Sequence, residues 1–314
     1  MSNVRDPAAL PRVAACVCTH RRNEQLRRIL ERFVEIDAQG EGRYALGVVV
    51  VDDNPGGDAE PVVAEFASAY ALGVHYRRSG HENISLARNV ALSAGIEIGD
   101  VIVMTDDDCL PEVTWVDALL ATQRATGAGT VSGPHLAMLP ADAPRWIVEQ
   151  EVFEHEHEVL ADQAPMRIGQ TNNCLLDVGW LRDHPDHRFD PEFGRTGGED
   201  MVFFRGAIDL GLRSVHSAAA RVHHLEPLED LTFRVILRSR YWWGTSEATT
   251  NLVATDASRL RLALRGVRRT MKAVARPVAR LLRVRPPHVR SAALDAANGV
   301  GLVVGALGHR VNHH

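Results

Sequence analysis

The sequence predicts an α/β fold, a mostly parallel sheet covered by helices on both faces. Apolar runs alternate with helix-period patterns through the first hundred residues, the order of repeated βαβ units. Polar residues collect where those runs stop, and in open parallel sheets ligands bind beyond the carboxyl ends of the strands.

"RVAACVCT" (12 to 19) is the first strand. "NEQLRRILERFVEI" (23 to 36) then sets Leu26, Ile29, Leu30, Phe33 and Ile36 on one helical face. "LGVVVVDDN" (46 to 54) is the second strand, and "DAEPVVAEFASAYA" (58 to 71) the helix that follows. "GVHYRR" (73 to 78) is a third strand and "SLARNVALSAGIEIG" (85 to 99) a third helix. The fourth strand, "VIVMT", runs directly into Asp106, Asp107 and Asp108. Thr19 to Arg22, Asp52 to Asn54 and the aspartate triplet all fall at strand ends, so they are expected to converge on one crevice.

Like charges about 4 Å apart cost roughly 4 kcal/mol at an effective dielectric near 20, so three adjacent aspartates need a reason. A bound divalent cation reverses that sign. Carboxylate oxygens suit Mg²⁺ or Mn²⁺, which commonly bridge one or two carboxylates to substrate phosphates. A solvated turn capping the next helix accounts for the triplet equally well when it is taken alone.

Composition sets the outer limits. The chain has 314 residues, 45% hydrophobic and 24% charged, enough for a real core without covalent staples. Its four cysteines, Cys16, Cys18, Cys109 and Cys174, form no CxxC pair and read as reduced thiols of a cytoplasmic protein. No leader opens the sequence and no uncharged apolar run nears the roughly 18 to 20 residues that span a bilayer. The net charge of −5 is unevenly placed: residues 251 to 314 hold twelve Arg or Lys against Asp256 and Asp295, a net +10, which leaves −15 for the first 250. A boundary near residue 250 between an acidic body, 1 to 250, and a basic tail, 251 to 314, is expected from this.

"VVVVDDN", "ENISLARN" (82 to 89), "TDDDC" and "TGGED" (196 to 200), in this order, resemble glycosyltransferase family 2. The resemblance covers about residues 12 to 245. Within it, "VCTHRR", "DDDCLPEVTW", "TNNCLL", "RFDPEFGRTGGEDMVFF" and "RSRYWWG" resemble bacterial exopolysaccharide glycosyltransferases of the succinoglycan-assembly type. The order and spacing of the motifs carry this, since no single one is specific.

The resemblance implies the GT-A fold, which is Rossmann-like, with a nucleotide-sugar-binding half over about 12 to 110 and an acceptor and catalytic half over about 111 to 250. It implies a metal-dependent inverting transferase using a nucleotide-diphosphate sugar, UDP first, and a glycan, lipid-linked or small-molecule acceptor. Donor contacts are then expected from Thr19, His20, Arg21, Asp53, Asn83, Arg88, Asp106 and Asp107, with Asp53 accepting from the base imide. Asp53 also reads as an Asx turn with Asn54 and Pro55, and Arg88 as a group that fixes the aspartates or as a helix-surface arginine. Asp106 and Asp108 are the D-x-D pair, Asp108 the direct ligand of Mn²⁺ or Mg²⁺, and "AARVHHLEP" favours His224 over His223 as the third ligand. On the acceptor side the resemblance places Trp115, Asn173, Gly197 and Gly198, and it makes Asp200 the general base with Glu199 in reserve. By chemistry alone, Glu199 and Asp200 read equally as a cap and favourable dipole charge at the start of "MVFFRGAIDLG".

"FEHEHEVL" (153 to 160) looks metal-like, but its alternating signs between two prolines read better as a solvated loop. In the tail, Leu260, Leu264, Val267, Met271 and Val274 recur at helical spacing among arginines, as in helices that lie on anionic lipid; a solvated helix packed on the body is the alternative. "GVGLVVGALG" (299 to 308) is too short to span. A cytoplasmic enzyme attached peripherally to the inner face of the membrane, without a nucleic-acid partner, follows as the expectation. A noncatalytic sugar-nucleotide or glycan-binding module on the same fold is the competing class. A phosphoryl receiver would need a lysine beside its aspartates, and the only lysine is Lys272.

Overall fold

In the computed structural model, which describes residues 10–153, 160–167, 169–255 and 257–311, the first half of the chain follows the expected order. β1 (Arg12–Thr19), α1 (Asn23–Gln39), β2 (Ala45–Asp52), α2 (Glu60–Ala64), β3 (Val74–Arg78), α3 (Ile84–Ile98) and β4 (Val101–Met104) succeed one another. Next come β5 (Cys109–Pro111), α4 (Trp115–Thr126), β6 (Thr130–Ser132), β7 (His135–Met138) and α5 (Arg145–Glu149). β8 (Cys174–Asp177), α6 (Val178–Asp183), α7 (Glu199–Asp209), β9 (Ser214–His216) and β10 (Val222–Leu225) lead to the helices α8 (Phe233–Ala254), α9 (Arg259–Leu282) and α10 (Val289–Ala306).

The central sheet has seven strands in the order β3-β2-β1-β4-β8-β6-β9. β1 is parallel to β2 and β4, and β2 to β3, while β8 lies antiparallel between β4 and β6. A register that sets Thr19 beside Asp52 and Cys16 beside Met104 brings the polar ends of these strands to one edge. Alternate residues feed two cores. Val13, Ala15, Val17, Val48 and Val50 pack with Leu26, Ile29, Leu30, Phe33 and Ile36 of α1. Ala14, Cys16, Val49 and Val51 pack with Ala87, Ala91 and Leu92 of α3 on the opposite face. Helices on both faces are what a sheet of this kind requires.

One expected helix is shorter. The stretch from 58 to 71 is α-helical only over Glu60–Ala64; beyond it the amides of Phe66, Ala67 and Ala69 bond three residues back, to Val63, Ala64 and Phe66. Small residues at 67 to 69 leave too little apolar surface to hold longer helical packing, and the chain tightens into turns. A second, three-stranded sheet, β5-β10-β7, was not legible from the short runs that form it.

The chain divides into two compact units. The first comprises Met1–Leu136, Val159–Pro191 and Phe203–His224, and contains the central sheet. The second comprises Ala137–Glu158, Glu192–Val202 and Leu225–His314. In it α8 runs through residue 250, and α10 packs against α8 and α9 at glycines. A Cβ at Gly301 would lie 2.1 Å from the Tyr241 carbonyl oxygen, and one at Gly266 would lie 2.6 Å from that of Gly299. The "GVGLVVGALG" stretch is therefore close helix packing. Among the described residues no helix is long and apolar enough to cross a membrane.

Candidate active site

The end of β1 and the turn into α1 supply Thr19, His20, Arg21 and Arg22. The Thr19 hydroxyl donates to Asp107 at 2.8 Å. His20 and Arg21 turn to Glu82, at 3.5 and 3.3 Å, with Arg21 in the left-handed region at φ 57°. After β2, the wholly buried Asp52 accepts from the amides of Asn54 and Ala59 and from the Tyr76 hydroxyl, which fixes the loop. Asp53 is also buried, and its oxygens accept the amides of His81 at 3.1 Å and Asn83 at 2.6 Å. Asn83 caps α3 by accepting from the Leu86 amide, while its own Nδ2 donates to Pro191 O at 3.0 Å.

Each aspartate of the triplet has a protein cation beside it. Arg88, buried in α3 with Phe189 beneath its guanidinium, reaches Asp106 at 3.2 Å. Arg22 reaches Asp107 at 3.1 Å and Asp108 at 2.7 Å, and His224 Nε2 lies 3.6 Å from Asp108. Arg22, Arg88 and His224 thus offset the repulsion of the triplet before any cation is bound. Arg22 is the residue that sequence reasoning passed over; its signal was the second arginine of "THRR".

Strand alternation separates the two histidines. In β10, paired antiparallel to β5, His224 stands opposite Cys109 and His223 opposite Leu110. His224 therefore turns to Asp108, and His223 turns to Glu112 at 3.3 Å. Donor atoms of Asp106, Asp108 and Cys109 lie within 4.8 Å of one another. Of the expected ligands, Asp106 and Asp108 belong to this group and suit Mn²⁺ or Mg²⁺; His224 is outside it, standing at its edge 3.6 Å from Asp108. The Cys109 thiol is pushed up by burial and by the charges of Asp106 and Asp108, which leaves it protonated beside them.

The neighbouring carboxyls differ electrostatically. Burial pushes Asp107 up to about 6, against the opposing charge of Arg22. For Asp108 burial acts in the same sense, but hydrogen bonding and charge from His224, followed by Arg22, outweigh it and hold the group well below the usual carboxylate range. Asp107 then binds a proton in the folded state more readily than in the unfolded chain. Its contribution to stability is present below about pH 4 and lost as pH rises through about 6. With chelator present, Asp107→Asn should gain on the parent protein by up to about 3 kcal/mol between pH 4 and pH 7 in urea unfolding. A difference that does not change with pH would show that Asp107 stays ionised throughout.

Trp115 and Asn173 were expected to face an acceptor. The structure places both in the core, because Trp115 is wholly buried against Phe33 and donates its Nε1 to Asn173 Oδ1 at 2.8 Å. Asn173 Nδ2 in turn donates to the carbonyls of Pro134 and Ala220. They brace the backbone rather than present side chains to a sugar. In the second unit, Gly197 and Gly198 adopt φ of 77° and 92°, and Cβ atoms there would lie 2.4 Å from Trp242 and Thr250 of α8. Only glycine permits that approach. Glu199, buried, and Asp200, half-buried, follow in the first turn of α7. Of "FEHEHEVL", residues 154 to 159 lie outside the described residues.

Known proteins resemble this chain in family and in fold. The family model Glycosyl transferase family 2 matches residues 14–184. The succinoglycan biosynthesis protein ExoM of Rhizobium meliloti is 32% identical over 249 residues, 79% of this chain and 77% of ExoM. A glucosyl-dolichyl phosphate glucuronosyltransferase of Haloferax volcanii is 26% identical over 79% of this chain and 80% of its own length. Among solved structures, the mannosyltransferase PcManGT of Pyrobaculum calidifontis, in complex with GDP-Man and Mn²⁺, superposes with a TM-score of 0.60 at 17% identity, covering 96% of this chain and 89% of that one. That likeness establishes the fold as GT-A. With its strand-end aspartates, its "GGED" turn and a family match over more than half its length, the chain belongs to glycosyltransferase family 2.

Proposed function

We propose that the chain is a metal-dependent inverting glycosyltransferase that moves a hexosyl group from a nucleotide-diphosphate sugar to a hydroxyl of a glycan, lipid-linked or small-molecule acceptor. The observation that carries this is the pair Asp106 and Asp108 beyond the end of β4, their donor atoms within 4.8 Å, with His224 3.6 Å from Asp108 and Arg22 and Arg88 beside them. Asp106, Asp108 and His224 would hold Mn²⁺ or Mg²⁺, which when bound neutralises charge on the departing diphosphate. Donor residues come from about 12 to 110: Asp53 accepts from the base, while Thr19 and Asp107 set the floor of the loop. Arg22 and Arg88 exchange carboxylate for phosphate oxygens when the donor arrives, a role suited to the planar arginine fork. Residues from about 111 to 250 serve the acceptor, and Asp200 removes the proton of the attacking hydroxyl.

Uridine diphosphate is the carrier expected from the family, and the GDP-Man held by PcManGT makes guanosine diphosphate its competitor. The basic C-terminal region attaches the enzyme to an anionic membrane surface, a suitable place to meet a lipid-linked acceptor such as the name of the Haloferax relative describes. A thermal-shift screen of UDP, GDP and CDP with and without Mn²⁺ tests the donor assignment. One nucleotide at 100 times its Kd should add about 2.7 kcal/mol of apparent stability, and only with metal. Equal stability with all three, with or without the ion, would overturn it.

A further inference from the structure

One side-chain amide in the first unit serves a segment far along the chain. Phe189 lies between α6 and α7, outside any helix or strand, so its backbone amide and carbonyl have no ladder to join. Asn89 of α3 supplies both partners: its Oδ1 accepts the Phe189 amide at 2.8 Å and its Nδ2 donates to the Phe189 carbonyl at 2.8 Å. A side-chain amide suits this task because it carries a donor and an acceptor side by side in one planar group. Two residues on, Asn83 Nδ2 ties the Pro191 carbonyl to the start of the same helix. The stretch 189–191 is therefore strapped along α3 at two points.

The strap fixes a ring as well as a loop. Phe189 is 1% exposed and stacks on Phe203, with ring centroids 4.1 Å apart and planes at 15°. The central carbon of the Arg88 guanidinium lies 5.9 Å from the centroid of the Phe189 ring, and the same guanidinium reaches Asp106 at 3.2 Å. Arg88 and Asn89 are neighbours in sequence, so the cation and the amide that holds its ring leave α3 about 100° apart and share one backbone. An arginine has several rotatable bonds, and an anion that binds it must order them unless the surroundings have already done so. The ring and the carboxylate hold the buried Arg88 guanidinium in place before a donor arrives. The core beneath α3 is made by Ala87, Ala91 and Leu92, whereas Asn89 is only half-buried, so its two bonds serve the strap and not the packing of the helix on the sheet.

We propose that Asn89 is a positioning residue for the donor: through the Phe189 backbone it fixes the ring against which the Arg88 guanidinium is presented to the diphosphate. This rests on the donor role proposed above for Arg88 and gives Asn89 and Phe189 roles that act through it.

A double-mutant cycle tests this, read by calorimetric titration of the full chain with UDP and with GDP, each with Mn²⁺. Arg88→Gln should weaken binding of the nucleotide that the parent takes by about 10- to 100-fold, the loss of a charged hydrogen-bonding partner. Asn89→Ala should weaken it about three- to tenfold in the parent, but by less than about twofold when Arg88→Gln is already present. Phe189→Leu keeps an apolar side chain and the backbone that Asn89 holds, yet removes the π face, and should show the same dependence on Arg88. If Asn89→Ala does not fold, the Phe189→Leu cycle decides alone. A merely structural role would lower the melting temperature and leave the loss of affinity equal in both backgrounds. Losses that multiply in the double variants would therefore overturn the positioning role and leave the donor role of Arg88 standing. An Arg88→Gln protein with undiminished affinity, or a parent that binds neither nucleotide, would remove the donor role itself and this proposal with it.

Discussion

Asp200→Asn should lower sugar transfer by about 10² to 10⁴, the range over which general-base catalysis is typically worth its rate, and leave donor and metal affinity nearly unchanged. The substitution keeps the shape of the side chain and removes the charge that must accept a proton as the acceptor hydroxyl attacks. Asp200 sits in the first turn of α7, where it accepts the Met201 amide at 2.7 Å and lies at the helix end whose dipole suits a negative charge. Gly197 and Gly198 hold this turn hard against Trp242 and Thr250, so the carboxylate is presented from a fixed backbone. Glu199 is the more buried of the two, and Glu199→Gln should cost less. A single in-line displacement with one base also inverts the anomeric centre, so NMR of the first-formed product should show the configuration opposite to the donor's. Near-normal turnover by Asp200→Asn, or retention of configuration, would make the carboxylate pair a helix cap and put the base elsewhere. A chain that binds donor and metal but transfers no sugar in any acceptor screen would be the noncatalytic module instead.

Local pattern carried most of the nucleotide-binding half. β1 begins and ends where its apolar run does, at Arg12 and Thr19, and the five apolar positions read on α1 are its five buried residues. These elements are legible because period and burial coincide within a short window. What the sequence left open depends on partners distant along the chain. Arg22 meets Asp107 and Asp108 across 85 and 86 positions, and His224 meets Asp108 across 116, distances over which no pattern in one sequence reports a contact. Trp115 and Asn173 misled for the same reason: a tryptophan and an asparagine at loop edges look available to a sugar until each is seen bonded to the other inside the core. The tail shows a third limit. Its apolar spacing was plain, but periodicity alone does not say whether such a face turns inward or outward, and in α9 it turns outward. The inward contacts are made by glycine and alanine, which periodicity scarcely registers.

Asp108→Ala should remove the metal-dependent part of nucleotide-diphosphate binding. Loss of a group that only supports a metal ligand typically costs about 10- to 100-fold in metal affinity, and loss of a ligand itself should exceed that. Asp108 is the carboxylate on which the others depend, because it faces Asp106 within ligand distance and is the one that His224 approaches. His224 and Arg22 hold it ionised far into the acid range, so it is ready to bind a cation without first losing a proton, whereas Asp107 is ionised only above about pH 6. The substitution also frees Arg22 from one of its two carboxylates, which leaves that cation more available to phosphate. Residual metal-independent binding should therefore persist or rise slightly while the response to Mn²⁺ disappears. Titration of the nucleotide diphosphate by calorimetry with Mn²⁺ and with EDTA separates the two contributions. Asp107→Asn serves as the control, since its carboxyl bonds to Thr19 and Arg22 and should leave the Mn²⁺ response largely intact. An Asp108→Ala protein that still tightens on the nucleotide when Mn²⁺ is added would move the ion away from the triplet. The aspartates would then be a structural knot held by Arg22, Arg88 and His224 alone.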